Sequence, residues 1–75
     1  MKDLVETIVK ALVDYPDEVV VEELPRDNEV TYKLHVHTSD TGKVIGKNGK
    51  VAKSIRTVMN AAAVQSSTRV QLEIV

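Results

Sequence analysis

The stretch Val44-Ile45-Gly46-Lys47-Asn48-Gly49-Lys50 decides how this chain is read. Two glycines bracket two polar residues, an apolar pair precedes them, and a basic segment with helical apolar spacing follows. Glycine admits positive φ and lets another backbone approach closely. The segment from Lys50 reads as a helix, which puts Gly49 at its N-terminus. Amides at such an end lack intrahelical partners, and the helix dipole there favours an anion. A sharp turn, free amides and surrounding lysines together suggest a seat for a phosphate backbone.

The formal charge of −1 over 75 residues hides an uneven distribution. Up to Asp40 there are ten acids and four bases; from Thr41 onward there are six bases and one acid. Five of those six, Lys43, Lys47, Lys50, Lys53 and Arg56, fall within fourteen residues around the glycines. An ordinary solvated face mixes both signs. A local basic patch on a near-neutral chain is what a focused polyanion site needs. The length allows one small domain, spanning 1–75, with a thin core. The absence of cysteine excludes a disulfide framework and a thiolate metal site. Met1-Lys2-Asp3-Leu4 enters an amphipathic pattern at once, without the apolar run of a signal peptide or membrane span. The expectation is a cytoplasmic protein with no membrane partner.

Leu4, Val5, Ile8, Val9 and Leu12 make one helical stripe, so Asp3 to Asp14 is predicted as a helix. Asp3 followed by Glu6 fits a capping box, and Tyr15-Pro16 ends the helix. Glu18 to Leu24 reads as a strand, with its register left open by three consecutive valines. Pro25 to Glu29 is a turn by composition. Val30 to His37 alternates, with Val30, Tyr32, Leu34 and Val36 on one face. The two strands form an antiparallel hairpin. Ser39 or Asp40 can cap a short helix over Thr41 to Ile45. After the glycines a longer helix runs to about Gln65, with Val51, Ala52, Ile55, Val58, Met59 and Ala62 as its apolar stripe. Thr68 to Val75 is a last strand. The result is a two-layer α+β domain ordered α-β-β-α-α-β, its three-stranded sheet covered by helices on one face.

That order, with a G-x-x-G loop between the last two helices, resembles a type II KH domain; type I domains run β-α-α-β-β-α. The segment from Gly42 to Arg56 looks like the core motif of small bacterial single-KH proteins of the KhpA type. The resemblance implies single-stranded RNA as partner, with the loop clamping about four nucleotides. It implies that Gly46 and Gly49 make the turn and that Lys47 and Asn48 meet phosphates. Lys43, Lys50, Lys53 and Arg56 add charge. Val44, Ile45, Val51 and Ile55 line or support an aliphatic base groove, with the strand Val30 to His37 as its other wall. No cofactor is implied. Weak binding of single-stranded DNA stays open, because no 2′-hydroxyl reader stands out. The resemblance also implies a homodimer, or a heterodimer with a second KH-containing protein. Met59, Ala61, Ala62, Ala63 and Val64 leave the end of the long helix apolar on more than one side, which suits an interface. In that alternative the chain is an assembly module and RNA binding is secondary.

Other chemistries fit less well. Gly42 to Asn48 superficially resembles a nucleotide P-loop, but the glycine spacing is short and Asn48 replaces the Ser or Thr that holds magnesium. His35 and His37 share a strand face, yet a zinc site needs three or four protein ligands, so exposed strand histidines are expected. With two tyrosines as its only aromatics, the chain lacks the stacking platform of sheet-reading RNA modules. No serine has a base partner in view, so an enzyme is not expected.

Overall fold

The computed structural model describes residues 1–75. Helix α1 (Lys2–Leu12) forms on the predicted stripe and buries Val5 and Val9 completely. The Asp3–Glu6 capping box does not form. Met1 is the N-cap, without a side-chain bond, and Asp3 lies inside the first turn, where its charge meets the positive end of the dipole. Val13 is extended, and Pro16–Glu18 make one 3-10 turn before the sheet begins.

Strand β1 (Val20–Arg26) and strand β2 (Glu29–His35) pair as an antiparallel hairpin. The consecutive valines resolve cleanly: Val19 and Val21 turn inward, while Val20 is 52% exposed. The hairpin is longer than predicted, running through Pro25 and Arg26 so that only Asp27 and Asn28 turn. Proline is tolerated there because β1 is an edge strand, in the order β1-β2-β3, and its missing donor faces away from the ladder. Strand β3 (Arg69–Ile74) lies parallel to β2 on the other side, with Leu72 beside Tyr32 and Ile74 beside Leu34. Parallel neighbours need a long crossover. Helix α2 (Thr41–Ile45), the glycine turn and helix α3 (Lys50–Ala63) supply it.

Helix α2 has the predicted bounds. Helix α3 stops two residues short of Gln65, where a 3-10 turn (Val64–Ser66) and Ser67 at φ 57° unwind it. Its buried stripe is Ala52, Ile55, Met59 and Ala63. Val58 and Ala62 are exposed instead. The core joins Val5 and Val9, the inward sheet residues Val21, Tyr32, Leu34 and Leu72, and Val44, Ile55 and Met59 from the crossover. No helix is long and apolar enough to cross a membrane.

Asp40 departs from its expected role. It stands at the N-cap of α2 but caps nothing there. Its fully buried carboxylate accepts the backbone N–H groups of Asp14 (3.1 Å) and Tyr15 (3.0 Å) instead. This ties the end of α1 to the start of the helix that carries the glycine turn.

Candidate nucleic-acid interface

Gly46 ends α2 at φ 76°, ψ 174°, a backbone region essentially restricted to glycine. Asn48 (φ 57°) and Gly49 (φ 74°) are both left-handed, so the chain reverses sharply into α3. Asparagine accepts that conformation better than most residues. The turn uses part of its own donor set. Gly46 N–H donates to Gly42 O (2.8 Å), Gly49 N–H to Gly46 O (3.2 Å), and Lys50 N–H to Lys47 O. The amides of Gly49 and Lys50, expected to be free for an anion, therefore close the turn. Charge near the turn comes mainly from side chains.

Those side chains divide into two groups. Lys47, Lys50 and Lys53 are exposed and make no ion pair. Lys43 is engaged elsewhere: its ammonium pairs with the Asp14 carboxylate and lies 4.0 Å from Asp40. Its hydrogen bond to Asp14 leads the causes that hold its pKa above the ordinary lysine value, outweighing partial desolvation. The structure thus separates Lys43 from the free lysines. Only a contact across 29 residues reveals it, which periodicity does not show.

Beside the turn lies a groove of about 620 Å³, bounded by Ile45, Gly49, Ala52 and Arg56 on one side and by Leu72 to Val75 on the other. Its far wall is β3. The expected wall, β2, is the central strand and has no free edge. Of the predicted groove residues, Ile45 lines it directly. Val44 and Ile55 are buried and support it from the core, and Val51 packs beneath Gly46. Ala52, Leu72, Ile74 and Val75 were not singled out from sequence, because their place depends on strand order. Arg56 reaches across, donating from Nη2 to Leu72 O at 3.4 Å.

Tyr32 is buried on the apolar face as expected, with its hydroxyl donating to Glu23 Oε2 at 3.3 Å. Burial first, and then the neighbouring Glu23 charge, raise its pKa above 10.0. The two histidines have separate partners. His35 Nε2 lies 2.6 Å from Glu22 Oε1, whereas His37 stacks on Tyr15 at 4.1 Å and its Nδ1 accepts from Ser39 N–H. Of the apolar residues expected to be in surplus at the end of α3, Met59 and Ala63 are core, whereas Ala61, Ala62 and Val64 are exposed, Val64 at 77%. A further exposed apolar pair, Leu12 of α1 and Val58 of α3, at 42% and 43% exposure, lines a groove between the two helices.

The order α-β-β-α-α-β and a G-x-x-G turn between the last two helices define a type II KH domain. The model of the family described as KhpA/KhpB, KH domain, matches residues 2–74, and the chain belongs to this family. It is similar to the RNA-binding protein KhpA of Oceanobacillus iheyensis, 50% identical over 74 residues and 99% of each chain. The RNA-binding protein KhpA of Clostridium acetobutylicum is 53% identical over 75 residues and the whole of both chains. That of Bacillus subtilis is 53% identical over 74 residues, covering 99% of this chain and 91% of the relative. No solved structure matches the chain.

Proposed function

We propose that this protein binds single-stranded RNA in the cytoplasm, as a single KH domain and not as an enzyme. The observation that carries the reading is a glycine-built turn with three unpaired lysines beside an aliphatic groove. Lys47 and Asn48 meet phosphates, Lys50 and Lys53 add charge, and bases lie against Ile45, Ala52 and Leu72. The relatives' name, RNA-binding protein, supports RNA over other polyanions. The test replaces Lys47 and Asn48 with aspartate. Both are exposed, and aspartate tolerates the left-handed position. Circular dichroism and melting stay near wild type while RNA binding is lost. Full RNA binding by the folded variant would remove the turn from the site.

A second reading, compatible with the first, is assembly. Ile8 and Leu12 of α1, with Val51, Ile55 and Val58 of α3, line a groove of about 390 Å³ that is almost wholly apolar. A second copy, or another KH-containing protein, laid against it would cover Leu12 and Val58. Two RNA grooves in one particle would raise avidity. Light scattering across micromolar concentrations checks this; one chain's mass throughout rules out the homodimer.

A further inference from the structure

The pair Asn48-Gly49 brings a chemistry of its own to the turn. The carboxamide carbon of an asparagine is open to attack by the backbone nitrogen of the next residue. A side chain on that next residue obstructs the approach, and glycine has none. Asn48 is the one asparagine of the chain that a glycine follows. Asn28 precedes Glu29, and Asn60 precedes Ala61 inside α3.

The structure leaves the pair accessible. Asn48 is exposed, and no hydrogen bond holds its side-chain amide. Nothing lies within 4 Å of where a Gly49 Cβ would stand, so solvent reaches that flank of the turn. Gly49 is the N-cap of α3, and its N–H takes no part in the helix ladder. It donates to Gly46 O at 3.2 Å, a longer bond than the 2.8 Å from Gly46 N–H to Gly42 O. The helix dipole and the unpaired ammonium groups of Lys47 and Lys50 favour the anionic form of the attacking nitrogen. The closed turn opposes the reaction. With Asn48 at φ 57°, ψ 26°, the Gly49 nitrogen points away from Asn48 Cγ, and ring closure swings ψ through more than a right angle. Reaction therefore runs through local opening of the turn.

We propose that Asn48 is a self-modification site, which converts to aspartate and isoaspartate whenever the turn is unoccupied and so disables the clamp. The Gly49 nitrogen gives its proton to solvent base and its electron pair to Asn48 Cγ. A C–N bond forms, the Cγ–Nδ2 bond breaks, and Nδ2 takes up a proton and leaves as ammonia. Water then opens the cyclic imide: at Cγ it leaves aspartate, at the backbone carbonyl isoaspartate. Either product sets a carboxylate beside Lys47, where a phosphate is to sit. Isoaspartate also adds a methylene to the main chain, against the close packing of Gly46 on Val51. The loss of function rests on the RNA-binding reading of the turn; the conversion itself does not. RNA held by the closed turn protects Asn48, so conversion falls on protein without RNA.

The test keeps fresh protein in warm, mildly alkaline buffer, free or with a uridine hexamer, while the same chain in urea sets the unhindered rate. Ion exchange resolves a more acidic species from the free protein. Peptide mass spectrometry places the exchange of an amino for a hydroxyl group at Asn48, with Asn28 and Asn60 intact. Asn48→Gln, one methylene longer, yields no such species. Hexamer at about tenfold its Kd slows conversion about tenfold, since the closed turn alone binds it. The separated acidic species binds the hexamer at least about tenfold more weakly, because like charges are set together. Folded protein that keeps Asn48 intact while the urea-unfolded chain converts overturns the proposal, and so does an acidic species that binds RNA like fresh protein. Equal conversion with and without bound hexamer overturns protection by the clamp. A hexamer that does not bind fresh protein overturns the RNA reading, whereas conversion at Asn48 still stands or falls on the mass spectrum.

Discussion

Gly46 lies directly against Val51: a Cβ built on the glycine would sit 2.8 Å from Val51 Cβ and 2.9 Å from its backbone nitrogen. Gly49, the other glycine of the turn, has nothing within 4 Å of the same position. Both have positive φ, so alanine strains the backbone at either site by about 1 kcal/mol or more. Only at Gly46 is a steric clash with backbone added, of about 1–3 kcal/mol. Gly46→Ala therefore lowers stability by about 3 kcal/mol and Gly49→Ala by about 1. Urea unfolding of the two variants checks the order, and equal midpoints would contradict the packing argument.

Asp40 is the next weak point. Only 13 of 75 residues are buried, so total stability is small and one lost interaction is a large part of it. Asp40→Asn keeps the volume but leaves one oxygen for two amides, and turns an N–H group toward one of them. A loss of about 2 kcal/mol is expected. Hydrogen exchange localises it: the amides of Asp14 and Tyr15 lose protection first. Unchanged protection at those two amides would show that the carboxylate does not hold them.

These two sites also show what was legible beforehand. The alternation from Val30 to Val36 and the glycine pair led to the hairpin, the crossover and the bounds of α2, because each is a local pattern. Asp40 misled, because a capping residue before a helix is a local signal while its real partners lie 25 and 26 residues back. Pro25 misled for a related reason: a proline breaks a strand only if the strand is central, and strand order is not local. The groove wall moved from β2 to β3 on the same ground. On α3, spacing found the face but not its edges. Val58 lies on the flank toward α1 and stays open, while Ala63 completes the buried row.

Alkaline pH should weaken the fold through two groups. Burial, with Glu23 beside it, raises the Tyr32 pKa above 10.0, and the Asp14 bond raises that of Lys43 above 10.5. In both cases the folded chain holds its proton more tightly than the unfolded chain. Their contribution is complete below the ordinary values and is lost as pH rises through the folded ones. The urea midpoint stays flat toward pH 9 and falls above about pH 10. Tyr32→Phe, which cannot ionise, shows a shallower fall. An identical pH profile for Tyr32→Phe would exclude the tyrosine as a cause.

Val58 separates assembly from RNA binding. It is 43% exposed and outside the core cluster, so Val58→Glu leaves the monomer's stability within about 0.5 kcal/mol. If the α1–α3 groove is an interface, a buried glutamate there abolishes self-association at micromolar concentration. Binding of a short RNA that fits one groove remains. Sedimentation and anisotropy on the same sample read both. A Val58→Glu protein that associates as wild type does would move the interface off this groove.

Lys43 and Lys47 lie four residues apart on a lysine-rich segment, yet their surroundings differ. Lys47 projects from the turn without a partner, while Lys43 is engaged by Asp14 with Asp40 behind it. A lysine that neutralises a phosphate releases counterion on binding, worth about 0.7 in the slope of log affinity against log salt on single strands. Lys47→Gln is therefore expected to flatten that slope by about 0.7 and to weaken binding at low salt, with melting unchanged. Lys43→Gln is expected to do the reverse: a small fall in melting temperature, a slope equal to wild type, and affinity within about twofold. Salt titrations from about 50 to 200 mM, the range over which phosphate contacts dominate, distinguish the two. A slope lost equally in both variants would return Lys43 to the phosphate contacts and make its pairing with Asp14 incidental.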